Sequence, residues 1–177
     1  MYKHKILLTE TQIQQRVKEL AEIFNADYRG EVLDLICILK GAVFFVADLM
    51  RHLEIPVRLH FLQVSSYGIG TESSGTVNLH FSSLTDLQNR HVVLVEDILD
   101  TGITLDYLLK HLREKNPRSL KACVLLDKPE KRKLDIEPDY TGFQIPDNFV
   151  IGYGLDYREF GRNLRYIAVL DPSEHKA

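Results

Sequence analysis

Apolar runs of strand length alternate with segments of helical periodicity along most of the chain. The runs cover residues 32–39, 57–64, 91–97 and 119–127, and the near-continuous hydrophobicity of the first is typical of a strand that is buried on both faces. Apolar residues recur at helical spacing in residues 10 to about 25, 42–53 and 103–116. This alternation predicts an α/β fold with a central twisted, mainly parallel sheet that is flanked by helices.

The composition fits one globular domain of ordinary size. The chain has 177 residues, of which 45% are hydrophobic and 27% charged, and its formal net charge is −3. It therefore has no excess of positive charge with which to bind nucleic acid, and its longest apolar runs are too short to span a membrane. The N-terminal residues do not resemble a secretory signal. We expect a cytoplasmic protein that binds neither nucleic acid nor membranes.

Residues 92–105, VVLVEDILDTGITL, carry the densest cluster of reactive side chains. Glu96 and Asp97 follow an apolar run, where two carboxylates are costly unless sugar hydroxyls or a cation satisfy them. A turn then leads into a helix, whose first backbone N–H groups favour an anion. The turn consists of Asp100, Thr101, Gly102, Ile103 and Thr104. The pattern predicts a phosphate cradle beside a diol or metal site, and its alternative is an acidic strand end before an ordinary capped turn.

Five separated segments resemble, in the same order, the hypoxanthine-guanine branch of the type I phosphoribosyltransferases. VEDILDTGITL is similar to the phosphoribosyl-pyrophosphate motif of that superfamily. ILKGAVFF resembles its pyrophosphate loop, SSYG the start of its lid, LLDKP its purine-selecting segment and FVIGYGLDYREFGR its C-terminal base-stacking segment. The resemblance implies the type I phosphoribosyltransferase fold as one domain over residues 1–177. It places a lid at about residues 65–76 and a small hood in the N- and C-terminal segments.

The resemblance implies an enzyme that joins a 6-oxopurine to the ribose of phosphoribosyl pyrophosphate and releases pyrophosphate. Glu96 and Asp97 are then expected to hold the ribose hydroxyls, directly or through Mg²⁺, which is the implied cofactor. The turn from Asp100 to Thr104 is expected to cradle the 5′-phosphate. Asp100 would lie nearest the purine and act as the general base.

The resemblance assigns the pyrophosphate to two segments that are far apart in the chain. Lys40 and Gly41 are expected to bind it through backbone N–H groups, next to a cis peptide bond between Leu39 and Lys40. Arg162 is the second candidate, because its planar fork suits phosphate oxygens. Asp156 is expected to support a second Mg²⁺ through water. Without the resemblance, these side chains would be a solvated strand-end lysine, a surface arginine and a turn aspartate. The first loop departs from some family members, which have a second glycine where Ala42 stands.

The purine is assigned to three residues near the ends of later strands. Lys128 can only donate hydrogen bonds, so it would recognise a 6-oxo group and reject a 6-amino group. Phe149 is expected to stack on the purine face, and the Val150 backbone to bind the purine edge. The alternatives are a loop lysine and a core phenylalanine. The charged run at residues 131–133 is predicted to be a solvated loop.

The resemblance also implies a moving lid and an assembly. Ser66 and Tyr67 begin a segment rich in Ser, Gly and Thr that would close over the reacting carbon and exclude water. The substrates would be a 6-oxopurine and phosphoribosyl pyrophosphate. The family tends to form homodimers or homotetramers.

Two other functions remain as alternatives. One is a non-catalytic regulator of the same fold that senses phosphoribosyl pyrophosphate, although net acidity and the presence of Asp100 and Lys128 disfavour it. The other is a phosphatase or phosphotransfer receiver with Asp97 or Asp100 as the nucleophile. That chemistry needs an aspartate pair near the first buried strand, where only Asp34 occurs.

Overall fold

Two β-sheets and three α-helices make up the part of the chain that the computed structural model describes, which is residues 2–64, 79–81, 86–171 and 173. The helices are α1 (Glu10–Asp27), α2 (Val43–Arg51) and α3 (Ile103–Arg113), and a 3₁₀ helix covers Pro129–Lys131. The strands are β1 (His4–Leu8), β2 (Leu33–Leu39), β3 (Val57–Val64), β4 (Leu79–Phe81), β5 (His91–Leu99), β6 (Ser119–Asp127), β7 (Tyr140–Gln144), β8 (Val150–Ile151) and β9 (Ile167–Leu170). In these ranges, no helix has the length and apolar character needed to cross a membrane.

The larger sheet has six strands in the order β4–β3–β2–β5–β6–β7. The pairs from β3 to β7 are parallel, and β4 is antiparallel to β3 at one edge. The register places Cys37 beside Val95 and Val95 beside Cys123, so the carboxyl ends of β2, β5 and β6 lie side by side. The order of the strands reverses between β2 and β5, which is where open α/β sheets bind ligands. The predicted mainly parallel sheet is confirmed.

Helices cover both faces of this sheet. On one face, α1 buries an apolar stripe that consists of Ile13, Val17, Leu20, Ala21 and Phe24, and α2 packs beside it. On the other face, α3 buries Leu105, Leu108, Leu109 and Leu112 against the sheet. Thr9 and Gln12 form a capping box in front of α1, with the Gln12 N–H donating to Thr9 Oγ1 at 3.3 Å. The predicted start of α1 is therefore confirmed, and the helix continues to Asp27.

A smaller antiparallel sheet joins the two ends of the chain, in the order β1–β9–β8. Its core contains Ile151, Ala168 and Leu170, with Tyr2 and Tyr166 packed against them. β8 and β9 follow β7 in the chain, and β8 lies near the carboxyl ends of the parallel strands. Neither β1 nor β7 was predicted from the sequence, and β7 lies within a charged stretch that contains several prolines.

Candidate active site

The turn between β5 and α3 depends on a left-handed glycine. Gly102 has a φ of 84°, which side chains disfavour, and the side chain of Ile136 lies where a Cβ atom would point. A cavity of about 60 Å³ lies at this turn, and its lining includes Glu96, Asp100, Thr101, Gly102 and Thr104. Because the first N–H groups of a helix favour an anion, the cavity is compatible with the predicted phosphate cradle.

Burial disfavours the charge of both acids that follow the apolar part of β5. Glu96 is buried, and burial followed by the charge of Asp97 raises its pKa to about 8. Its Oε2 atom has no hydrogen-bond partner in the described part of the chain. Burial also raises the pKa of Asp97 to about 6. Gly41 packs so closely against the Asp97 carboxylate that a Cβ atom at residue 41 would overlap with it. Hydrogen bonds from sugar hydroxyls or a bound cation would compensate for the lost solvation and favour the charged forms of these acids.

A larger cavity of about 380 Å³ lies beside the turn. Its walls come from the ends of β5 and β6, from the 3₁₀ helix, and from β8 with the loop that follows it. It is lined by Asp97, Ile98, Asp100, Lys128, Lys131, Phe149, Val150, Leu155 and Asp156. The structure thus brings the predicted base Asp100 to the same cavity as the three residues that were assigned to the purine.

Two of those three residues occupy contrasting environments. The Lys128 side chain is only 5% exposed, and its Nζ lies 3.5 Å from Asp147 Oδ1. Phe149 is 43% exposed, and its ring meets the ring of Tyr157 edge-on with centroids 5.5 Å apart. A buried ammonium group and an exposed aromatic face in one cavity can donate a hydrogen bond to a flat ligand and stack against it.

The predicted pyrophosphate ligands meet around one carboxylate. Lys40 Nζ donates to Glu159 Oε2 at 3.0 Å, and the same oxygen lies 3.6 Å from Arg162 Nη2. Arg162 also pairs with Asp156 Oδ1 at 2.7 Å and donates to the Gly154 carbonyl at 2.8 Å. The Leu39–Lys40 peptide bond is cis, which confirms that prediction. Lys40 and Arg162 are therefore neighbours, and the sequence analysis did not predict the contribution of Glu159.

Two predicted elements lie elsewhere. Ser66 and Tyr67, the predicted start of the lid, fall outside the described residues. Asp34 is fully buried at the start of β2, where His60 Nε2 contacts it at 2.7 Å and Arg58 and Arg90 bind it at 3.2 and 3.3 Å. Asp34 lies at the amino-terminal ends of the parallel strands, whereas Asp97 lies at their carboxyl ends. The aspartate pair that phosphotransfer chemistry needs is therefore not formed by these two residues.

Comparisons with known proteins identify the family of the chain. A family model described as a phosphoribosyl transferase domain matches residues 4–158. The chain is 44% identical to the hypoxanthine-guanine phosphoribosyltransferase of Bacillus subtilis (strain 168), with 100% of both chains covered. It is 48% identical over 173 residues to the hypoxanthine-guanine phosphoribosyltransferase of Mycobacterium tuberculosis (strain ATCC 25618 / H37Rv), which covers 94% of this chain and 86% of the relative. The crystal structure of a hypoxanthine-guanine phosphoribosyltransferase from Bacillus anthracis matches with a TM-score of 0.89 and 44% identity, covering 97% of this chain and 100% of that chain. The chain belongs to the hypoxanthine-guanine phosphoribosyltransferase family.

Contributions of Lys131 and Arg132 to this phosphoribosyltransferase site were not predicted from the sequence. The prediction that residues 131–133 form a solvated loop is wrong for Arg132, which is partly buried, whereas Lys131 is exposed but ends the 3₁₀ helix. Lys131 lines the larger cavity. The Arg132 guanidinium pairs with the buried Asp127 carboxylate and donates to the Asp100 carbonyl at 3.0 Å. One sequence signal could have revealed this pairing, because Asp127 ends a buried strand and needs a cationic partner nearby.

The acids of this phosphoribosyltransferase site are suited to hold Mg²⁺ jointly with the substrate. Within the described ranges, no group of three or more His, Cys, Asp or Glu side chains could hold a metal ion. The buried Oε2 of Glu96 needs a partner, and Asp97 and Asp156 line the adjoining cavity. Mg²⁺ commonly binds through one or two carboxylates, several waters and substrate phosphates. The acids that are present match this mode of binding.

Proposed function

We propose that this chain transfers the 5-phosphoribosyl group of phosphoribosyl pyrophosphate to N9 of hypoxanthine or guanine, with xanthine as a third candidate. The products are the nucleoside monophosphate, IMP or GMP for the first two purines, and pyrophosphate. The family supports this purine salvage reaction, because the curated relatives carry the name of the transferase. The alternative of a non-catalytic regulator is not favoured by those names.

The observation that carries the proposal is the meeting of Asp100 and Lys128 in one cavity beside the β5–α3 turn. Lys128 is buried and can only donate, so it selects a purine that presents a 6-oxo acceptor. Phe149 offers its exposed face to the ring, and the Val150 backbone binds the purine edge. This arrangement orients a 6-oxopurine with its imidazole side towards Asp100.

Asp100 then serves as the general base. The bond from N9 to C1′ forms as the bond from C1′ to the pyrophosphate oxygen breaks, and pyrophosphate leaves with the electron pair. The purine loses its N7 proton to the Asp100 carboxylate. The transition state resembles an oxocarbenium ion, so the protein contributes mainly by alignment and electrostatic stabilisation.

The two ends of the second substrate bind on either side of this centre. The turn from Asp100 to Thr104 cradles the 5′-phosphate, while Lys40, Gly41 and Arg162 hold the pyrophosphate. Glu96 and Asp97 accept hydrogen bonds from the ribose hydroxyls or hold Mg²⁺, and Asp156 supports a second Mg²⁺ through water. When bound, Mg²⁺ neutralises charge on the leaving pyrophosphate. We also propose that Ser66 and Tyr67 belong to a lid that excludes water.

The cell compartment and the assembly complete the proposal. We place the protein in the cytoplasm, where its phosphorylated substrates are found. The whole chain acts as one domain, in which the small β1–β9–β8 sheet serves as the hood. We expect a homodimer or homotetramer, and light scattering on the purified protein tests this expectation.

A steady-state assay tests the proposed reaction. The purified protein is mixed with phosphoribosyl pyrophosphate, Mg²⁺ and either hypoxanthine, guanine, xanthine or adenine, and nucleotide and pyrophosphate are measured. We expect equal amounts of both products with hypoxanthine or guanine, and no comparable turnover with adenine. Binding of phosphoribosyl pyrophosphate without turnover of any oxopurine would contradict the proposal and support the regulator.

A further inference from the structure

Lys131 lies between two carboxylates at the cavity that holds the predicted base. Its Nζ atom is 3.1 Å from Asp147 Oδ1 and 3.4 Å from Asp100 Oδ2. The other carboxylate oxygen of Asp100, Oδ1, is buried and has no hydrogen-bond partner in the part of the chain that the structure describes. The two oxygens of Asp100 are therefore in different environments, since one contacts a cation and the other does not.

We propose that Lys131 is a positioning residue that holds Asp100 Oδ2 and so leaves Oδ1 as the oxygen that receives the proton of the purine. This inference rests on the proposed function. An aspartate side chain without such a contact can rotate, so that either oxygen or neither meets the substrate. Contact with one oxygen fixes which of the two is available, and alignment of this kind is a large part of the catalysis of a bond exchange.

Asp147 gives Lys131 a second fixed contact. The hydrogen bond from Lys131 to Asp147 is the main cause that raises the pKa of Lys131, and the charge of Asp100 acts in the same direction. Lys131 is thus a stable cation that remains anchored when Asp100 takes up a proton. Asp147 Oδ1 also lies 3.5 Å from Lys128 Nζ, so one carboxylate contacts both lysines.

Local chain geometry explains why both lysines reach Asp147. Lys128 is the residue before the 3₁₀ helix Pro129–Lys131, and Lys131 ends that helix. A 3₁₀ helix has three residues per turn, so residues that are three apart lie on the same side. Pro129 starts the turn, a position that its fixed φ and missing N–H suit. The sequence Lys-Pro-Glu-Lys therefore places the purine-selecting lysine and the positioning lysine side by side.

Two variants of Lys131 test the inference, with a lysine elsewhere as the control. Lys131→Met keeps the length of the side chain but removes its charge, whereas Lys131→Arg keeps the charge. Lys115→Met changes an exposed lysine after α3, at the opposite edge of the sheet. Steady-state kinetics give kcat and the KM for hypoxanthine of each protein, and circular dichroism confirms that each is folded.

For Lys131→Met we expect a kcat that is about ten-fold lower with a KM for hypoxanthine within about three-fold of the parent, because a general base contributes roughly 10²- to 10⁴-fold and only part of that is lost. Lys131→Arg should recover most of the kcat, and Lys115→Met should match the parent. An unchanged kcat in Lys131→Met would overturn the inference, as would a loss that Lys131→Arg does not recover. An inactive parent would instead refute the proposed function, so the two failures are distinguishable.

Discussion

Replacement of Glu96 by glutamine should change how stability depends on pH. In the folded protein, burial and then the charge of Asp97 raise the pKa of Glu96 from 4.5 to about 8. Below pH 4.5 the carboxyl group is protonated in both the folded and the unfolded chain, and its contribution to stability is fully present. As the pH rises towards 8, the unfolded chain ionises while the folded protein does not. The folded state should then lose about 1.4 kcal/mol per pH unit, or roughly 5 kcal/mol in total.

Glutamine has nearly the shape of the protonated acid but does not ionise. Glu96→Gln should therefore match the parent near pH 4.5 and become progressively more stable than the parent up to about pH 8, with a constant difference at higher pH. Urea denaturation of the ligand-free protein between pH 4.5 and 9 measures this difference as a shift of the midpoint. Glu22→Gln is the matched control, because it makes the same substitution at an exposed position on α1.

The same variant should lose function where it gains stability. Under the proposed function, the Glu96 carboxylate holds the ribose hydroxyls or Mg²⁺, and a neutral amide does this less well. We expect Glu96→Gln to bind phosphoribosyl pyrophosphate with Mg²⁺ more weakly than the parent, measured by calorimetry at pH 8. Parallel stability curves for the parent and Glu96→Gln across the whole pH range would refute the reasoning, because they would mean that the fold does not suppress the ionisation of Glu96.

Three further predictions concern single residues of the site. Asp100→Asn should lower kcat by roughly 100-fold or more while the affinity for product nucleotide, measured by calorimetry, stays within a few-fold; near-parental turnover would remove Asp100 as the base. Lys128→Met should reduce the preference for hypoxanthine over adenine by about ten-fold or more, since a lost hydrogen bond from a charged group costs roughly 1.5–3 kcal/mol; an unchanged ratio of kcat/KM values would contradict its role. Gly41→Ala should lower the free energy of unfolding by about 1–3 kcal/mol, because its Cβ would overlap with the Asp97 carboxylate; unaltered urea midpoints would show that the loop adjusts freely.

The strands with the clearest signal in the sequence are those whose two faces are both covered. β2, β5 and β6 lie inside the sheet, so each is a nearly continuous apolar run. β7 is an edge strand with the sequence YTGFQ, and much of its stability comes from distant groups. Arg16 of α1 donates to the carbonyl groups of Thr141 and Gly142 at 2.8 and 2.9 Å. A strand that is stabilised by an arginine about 125 positions earlier leaves no local hydrophobic pattern.

The same distinction between local and distant signals applies to the site. Asp97 and Asp100 are conspicuous because they follow a buried run within a few residues. Lys131 and Glu159 appear as ordinary surface charges, and their partners lie in other segments. Lys131 meets Asp147, and Glu159 meets Lys40, 119 positions away. Ion pairs between distant segments depend on the tertiary fold, so sequence spacing does not reveal them.

The ion pairs around the site indicate which protein contacts the proposed substrate can replace when it binds. Lys40 and Glu159 are both more than half exposed, and an ion pair of this kind contributes only about 0–1 kcal/mol. A pyrophosphate group that binds at the backbone of Lys40 and Gly41 can therefore displace the Glu159 carboxylate from the Lys40 side chain at little cost, whereas Arg162 keeps its position through its 2.8 Å bond to the Gly154 carbonyl. Glu96 is in the opposite situation, because it is buried and its Oε2 atom has no hydrogen-bond partner in the described ranges.

A substrate that carries both hydroxyl donors and phosphate oxygens would satisfy Glu96 as well as Lys40 and Arg162. A simple phosphate ester without the ribose would satisfy only the two cations. We therefore expect phosphoribosyl pyrophosphate to bind more tightly than free pyrophosphate by more than its extra phosphate contact explains, and this excess should shrink in Glu96→Gln.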